Sequence, residues 1–479
     1  MSRFRIGHAA VLSMVCTMLL AATARAARPH YGGMLRMETE GAIRSLDPAI
    51  EPADAPERAL RARLIPLIFE SLVTPDVAGG LRPALAASWQ HDDRNIRWRF
   101  RLRPAVRLHD GSVLQPPQVA AVIGAQERAW RVGSSGDSIV IETDRPHPDL
   151  PWELADARFA IVARSAATDL YGSGPFHIDR LETRRIVLRA FEDHWAGRPF
   201  VDAVQIDEGR SLADQLASVE LGRADLVAVR PTDLSRLVQH RIRSVASAPI
   251  ELLAMVFEPH RSGPTDEGLR DTIARSINRA ALATILLQRQ AEPAAGLLPP
   301  WLSGYAPVFI SDSRPALSRS AVPPERRNIA LRVDASDAVA QEVAARLSVD
   351  VREAGVMMTV QAPAGLAPRP DVRLVRIKLE ATTPSRALSA ALFRFGPRIA
   401  GLVDGGQLSA VDAPLETVLD TERALVEGAI VVPVVHIREL YALSDRVDSW
   451  NGPMVLGSGT WNLSNAWIRA ERAANTGRH

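Results

Sequence analysis

The stretch "RWRFRLRPAVRLHDGS", residues 97–112, decides how this chain is read. Trp98, Phe100 and Leu102 alternate with Arg97, Arg99, Arg101 and Arg103. A period of two is a strand, with one apolar face and one wet face. A row of arginines could also face a nucleic acid, but a solvated face of an antiparallel strand explains it more simply. The strand runs into His109-Asp110-Gly111. A His–Asp pair on a Gly turn can hold a metal or move a proton, or it can only shape the turn. The first reading makes the chain an enzyme; the second leaves it a scaffold that holds something.

The flanking sequence alternates strands and helices. "GMLRME" from Gly33 and "GDSIVIETDRP" from Gly136 read as strands. "YGSGPFHIDRLETRRIVLRAF" from Tyr171 reads as a Gly turn and two more strands. Glu57 to Val73 has helical spacing with Pro66 inside it, and "SLADQLASVELGRADLV" is an amphipathic helix leading into a strand. "DEGLRDTIARSINRAALATILL" reads as one long helix capped by Asp266. In the second half, "NIALRVDAS", "VMMTVQAP", "DVRLVRIKLE" and "AIVVPVVHI" alternate with helices that end near Gly355 and Glu427. That order predicts an α/β core.

The search for chemistry is negative. The chain has no His-x-His, no His-Glu-x-x-His, no cysteine cluster, no Walker loop and no Gly-x-Ser-x-Gly elbow. "YGSGPF" lacks the continuation a phosphate loop needs. No metal and no cofactor are expected.

At the start, Arg3 and Arg5 precede an uncharged run from Ala9 to Ala22, and Ala24-Arg25-Ala26 offers a small-x-small cleavage site. This pattern predicts a signal peptide over residues 1–26, cut before Ala27. The single cysteine, Cys16, lies in that run with no lipoprotein box before it. The exported chain is therefore expected to be soluble in the periplasm, without lipid or disulfide, and held by an ordinary core. Residues 1–26 contain three arginines and no acid, so their removal takes the net charge from +2 to −1. Nothing in that balance points to nucleic acid. Lys378 is the only lysine.

Six stretches, in order, resemble the family 5 extracellular solute-binding proteins of ABC importers, the dipeptide/oligopeptide-binding type. They are "SLDPAI" at Ser45, "IFESLVTPDVAGGLRPALAASW" at Ile68, and "RWRFRLRPAVRLHDGSVL" at Arg97. "YGSGPFHI" at Tyr171, "FEDHWAGRPFVDAVQI" at Phe191 and "FEPHRSGPTDEGLRDTIARSINRAAL" at Phe257 complete the series. The resemblance implies a periplasmic-binding-protein type II fold: two α/β lobes, hinge crossings, and a reduced subdomain inserted in lobe I. It places lobe I at residues 27–255 with a short insertion near 120–170, lobe II at 256–438, and a return to lobe I at 439–479. It makes "HDG" a structural turn.

The same resemblance implies a periplasmic receptor, a monomer and not an enzyme. It would close over a peptide or peptide-like ligand and deliver it to ABC permease subunits in the inner membrane. A sensor or chaperone on the same scaffold is the alternative. Peptide-binding relatives hold the ligand amine with an acid at a strand exit, and "IKLEATTP" puts Glu380 there. Lys378, on the same face two residues earlier, could neutralise Glu380 or meet a ligand carboxylate. Glu38, Glu40, Ser173 and Phe257 complete the expected cleft wall.

Overall fold

A computed structural model describes residues 29–75, 80–165, 169–258, 267–305, 328–361, 370–379, 383–403, 413–450 and 461–469. The expected signal peptide, Asp266 and Glu380 lie outside these residues.

The first lobe opens with β1 (Met34–Glu38) and α1 (Ala55–Ile68). An inserted unit follows: β2 (Ala86–His91), β3 (Arg97–Leu102), α2 (Pro116–Gln126), β4 (Arg131–Ser135) and β5 (Ser138–Glu142). The lobe resumes with β6 (Phe176–Glu182), β7 (Arg185–Ala190), β8 (Ala203–Asp207), α3 (Leu212–Glu220) and β9 (Leu226–Val229). The chain crosses on β10 (Arg243–Phe257). Lobe II comprises α4 (Glu267–Ser276), β11 (Ala291–Pro293), β12 (Asn328–Arg332), α5 (Ala338–Glu353), β13 (Met357–Gln361), β14 (Val372–Lys378), α6 (Pro384–Phe395) and α7 (Leu415–Glu427). The return crossing is β15 (Val431–Leu443).

One sheet runs through both lobes in the order β6-β7-β8-β1-β9-β15-β10-β14-β12-β13, with β11 added on β15. β10 and β15 are its antiparallel centre. Their pairing changes partners of packing along its length. Arg243 to Ala246 lie opposite Leu443 to Leu440, while Glu251 to Val256 lie opposite Ile437 to Val431. The ladder shifts register on both sides of Pro249, which has no N–H to donate. Beyond that break β10 is buried on both faces, which is why its sequence is a continuous apolar run. Leu253, Met255 and Phe257 pack with Val343 and Leu347 of α5; Leu252, Ala254 and Val256 pack with Leu388 of α6 and Leu425 of α7. On the other side of the break, Tyr441 and Leu443 join Leu35, Met37, Val204 and Leu226 in the core of lobe I.

The inserted unit has its own core. Trp98, Phe100 and Leu102 are buried and Arg97, Arg99 and Arg101 exposed, as the alternation in the sequence requires. The helix and hairpin between residues 116 and 142 do not stand alone; β5 pairs with β3, giving a sheet β2-β3-β5-β4. Burying each large side chain of this face contributes roughly 1.5–3 kcal/mol.

The long helix expected from Asp266 onward is interrupted. α4 ends at Ser276, and Asn278 caps a new turn by accepting from Ala281 N at 3.0 Å. Asn278 N is itself held by Asp350 Oδ2 at 3.0 Å. Apolar periodicity continues through the break, so the sequence pattern alone does not show it.

Candidate functional site

The sheet face that carries Leu253, Met255, Leu374, Val435 and Ile437 into the lobe II core changes character toward lobe I. Following the two-residue period, its next positions are Glu251, Arg376, Lys378 and Glu439. An apolar face that becomes charged marks the end of the lobe II core.

Glu439 is the centre of the first charged group. Arg63, from α1 in lobe I, reaches its Oε1 at 2.5 Å, and Lys378 Nζ, from the end of β14 in lobe II, reaches the same oxygen at 2.9 Å. Tyr441 donates to Oε2 at 3.3 Å, and Trp461 Nε1 donates to the Tyr441 hydroxyl at 3.3 Å. Ser247, at the break in β10, accepts from Glu439 N at 2.9 Å. All three charged side chains are largely buried: Arg63 is 16% exposed, Lys378 17% and Glu439 10%. Burial alone would raise the Glu439 pKa. Arg63 and Lys378 overcome that and hold it at about 2. One carboxylate thus ties together a lobe I helix, the return crossing and a lobe II strand end.

A second group lies beside it. Arg376 bridges Glu251 at 2.9 Å and Asp337, the N-cap of α5, at 3.0 Å. Glu251 foremost, then Asp337, raise the Arg376 pKa against its burial. Glu40 stands opposite with one side open to solvent. Burial raises its pKa, and Arg376 and Arg230 oppose that while Asp337 adds to it. Arg230 of lobe I pairs with Asp233 at 2.9 Å and reaches Glu342 on α5 at 3.8 Å. Gln288 of lobe II also meets lobe I, accepting from Ser235 N at 2.7 Å and donating to Thr232 O at 2.6 Å.

The structure sorts the residues named from the sequence. Lys378 and Glu40 lie in these charged groups, and Lys378 pairs with Glu439. Glu38 ends β1, 3.7 Å from Arg210. Ser173 and Phe257 are corrected. Ser173 is 1% exposed and donates to Glu70 at 2.8 Å, so its hydroxyl is committed inside lobe I. Phe257 is 4% exposed within the lobe II core, where its size fills space against α4 and α5. No sequence motif singles out Glu439 or Arg63. The signal for Glu439 was available: "HIRELYAL" puts a charged pair inside an otherwise apolar strand.

His109 is not placed for chemistry. Its Nε2 meets Gly174 O at 3.0 Å and its Nδ1 accepts from Gly172 N at 3.2 Å. Both ring nitrogens are therefore used by the backbone, and one must stay unprotonated. Burial pushes its pKa down to about 4 in spite of the Gly174 carbonyl. Asp110 accepts from Ser112 N at 2.9 Å, closing the turn, and Gly111 supplies φ +84°. Ser173, His194 and Trp195 all converge on Glu70. The "HDG" turn thus staples the "YGSGPF" turn. Among the described residues no cluster of His, Cys, Asp or Glu is grouped to hold a metal, and no helix is long and apolar enough to cross a membrane.

Comparison with known proteins agrees with this architecture. The nickel-binding protein NikA of Staphylococcus aureus is 22% identical over 241 residues, 47% of this chain and 49% of that protein. The match therefore spans about half of that relative's length. NikA of Brucella suis, solved with Fe(III)-EDTA, superposes with a TM-score of 0.75 at 15% identity, covering 91% of this chain and all of that one (100%). The oligopeptide-binding protein AppA of Bacillus subtilis, solved with a nonapeptide, gives 0.67 at 14% identity, over 92% of this chain and 100% of that one. These likenesses establish a two-lobed type II binding-protein fold. Residues 80–321 match the model of bacterial extracellular solute-binding proteins, family 5 Middle. With half of its length matched there, the chain belongs to the family 5 extracellular solute-binding proteins.

Proposed function

We propose that this protein is the periplasmic receptor of an ABC importer and captures a peptide-like ligand between its lobes. The observation that carries the reading is the bipolar wall at the crossings. Arg63, Lys378 and Glu439 form one group, and Arg376, Glu251, Asp337 and Glu40 the other. A ligand bearing both an ammonium and a carboxylate can find a counter-charge in each. Glu380 follows Lys378 by two residues and is the acid proposed to meet the amine. A ligand that touches both lobes binds the closed arrangement better and draws the population toward it. The closed receptor then docks on the permease subunits. No step makes or breaks a covalent bond.

The relatives support transport of a small solute but carry different cargoes, so ligand class is what the experiment must decide. Native mass spectrometry of the protein recovered from the periplasm should show a chain beginning at Ala27 with a co-purified peptide-like molecule. A metal chelate or a sugar in its place would refute the peptide reading and leave the receptor reading standing. A chain without ligand that also fails to change its radius of gyration with any of a tripeptide library would refute both.

A further inference from the structure

Arg386 stands in the first turn of α6, three residues after the N-cap Thr383. That turn holds no acid. A helix N-terminus carries the positive end of the dipole, so a cation there is locally unfavourable. Its partner lies outside lobe II. Arg386 Nε is 3.6 Å from Oδ2 of Asp149 in the inserted subdomain, and that carboxylate is only 1% exposed. Glu153, one turn further on, is buried enough to raise its pKa. His147 and Arg158 lower it instead, and Arg386 adds to them. His147 and Arg158 both contact Glu153 directly.

α6 packs with lobe II through Leu388 and Leu392, whereas Leu150 and Leu154, on either side of this turn, pack in the core of the inserted subdomain. The two ends of the Arg386–Asp149 pair therefore ride on different bodies. Any hinge motion about the break at Pro249 separates them. Opening would leave Asp149 buried beside fewer positive charges and Arg386 alone at the helix start, and both changes are unfavourable.

We propose that Arg386 and Asp149 form a clasp between lobe II and the inserted subdomain that holds the two lobes closed. The subdomain is then part of the closing machinery and acts together with the lobes in retaining the ligand. The consequence for ligand release rests on the reading that the ligand is enclosed between the lobes. The clasp itself is tested without ligand, so its failure is distinct from failure of the peptide reading.

The test measures distance between the bodies. The only native cysteine, Cys16, lies in the predicted signal peptide, so a mature chain with Arg145→Cys and Ala390→Cys takes two spin labels and no others. Both positions are exposed. Pulsed electron paramagnetic resonance on the ligand-free protein should show a short-distance population. Arg386→Gln should lower its ratio to the long-distance population roughly two- to fivefold. Asp149→Asn should do the same, and the double variant should be no worse than either one, because both remove one contact. Adding 1 M sodium chloride (a concentration at which the screening length is about 3 Å) should shift the parent toward the Arg386→Gln distribution and leave that variant unmoved. Asp149 is buried, so if Asp149→Asn does not fold, Arg386→Gln and the charge-keeping Arg386→Lys decide. Identical distributions for parent and Arg386→Gln overturn the clasp, as does an equal salt effect on both.

Discussion

At the residue scale the two charged positions that matter behaved differently in the sequence. "HDG" announced itself, and its partners decided its role: two glycine backbones occupy both nitrogens of His109. Glu439 is silent in any motif search because its partners, Arg63 and Lys378, come from remote parts of the chain. Only a folded sheet brings them to one oxygen. Removing that carboxylate takes away the counter-charge that two largely buried cations share. Glu439→Ala should therefore lower unfolding stability by about 3–5 kcal/mol at pH 7. The pH dependence has a definite sign. The folded pKa is about 2 against an ordinary 4.5. A depressed carboxylate contributes stability that is present above the unfolded value and lost as pH falls through the folded one. The stability gap between parent and Glu439→Gln should thus be full at pH 6, narrow below pH 4.5 and vanish toward pH 2. Urea unfolding at a series of pH values checks this. A gap that stays constant down to pH 2 would show that Glu439 is not held by the two cations.

At the element scale most of the fold was legible, since period-two and helical patterns report directly which faces are buried. The helix over Leu415–Glu427 and the ending at Gly355 follow from local pattern and backbone geometry. Breaks were less legible. The end of α4 depends on Asn278 meeting Asp350, a residue 72 positions away. The "YGSGPF" turn shows a further limit. Its glycines are required by a neighbour, not by their own torsions. A Cβ on Gly174 would lie 2.6 Å from Ile68 C and Leu67 O, at the end of α1. Those are backbone atoms and cannot rotate aside. Gly174→Ala should cost about 1–3 kcal/mol through overpacking. Gly133→Ala, where nothing lies within 4 Å, should leave stability nearly unchanged. Thermal unfolding of the two variants side by side makes the comparison, and equal effects would remove the close-approach argument.

At the scale of the whole molecule, one sheet serves two lobes, so motion between them must be absorbed within β10 and β15. The place is set by hydrogen bonding. Around Pro249 the β10–β15 ladder loses register twice, and Arg438 N turns to Gln290 O at 2.9 Å. Ser247 Oγ replaces a ladder partner by accepting from Glu439 N. Toward lobe II the strand is enclosed by core on both faces, with one more register shift between Leu253 and Ala254 opposite Pro433. Stability is therefore expected to be uneven along a single strand, with a low-cost opening at residues 247–250 beside the protected lobe II half. Amide hydrogen exchange read by mass spectrometry should find peptides covering Leu252–Val256 and Val432–Val435 among the slowest in the protein. Peptides covering Ser247–Ile250 should exchange faster, and ligand should slow them, because closure fixes the geometry of the break. The Glu439 group sits beside this break, so Glu439→Gln should speed exchange there more than at Leu252–Val256. Uniform protection along the whole of β10, unaltered in that variant, would mean that the lobes do not move about Pro249 and that the hinge lies elsewhere in the chain.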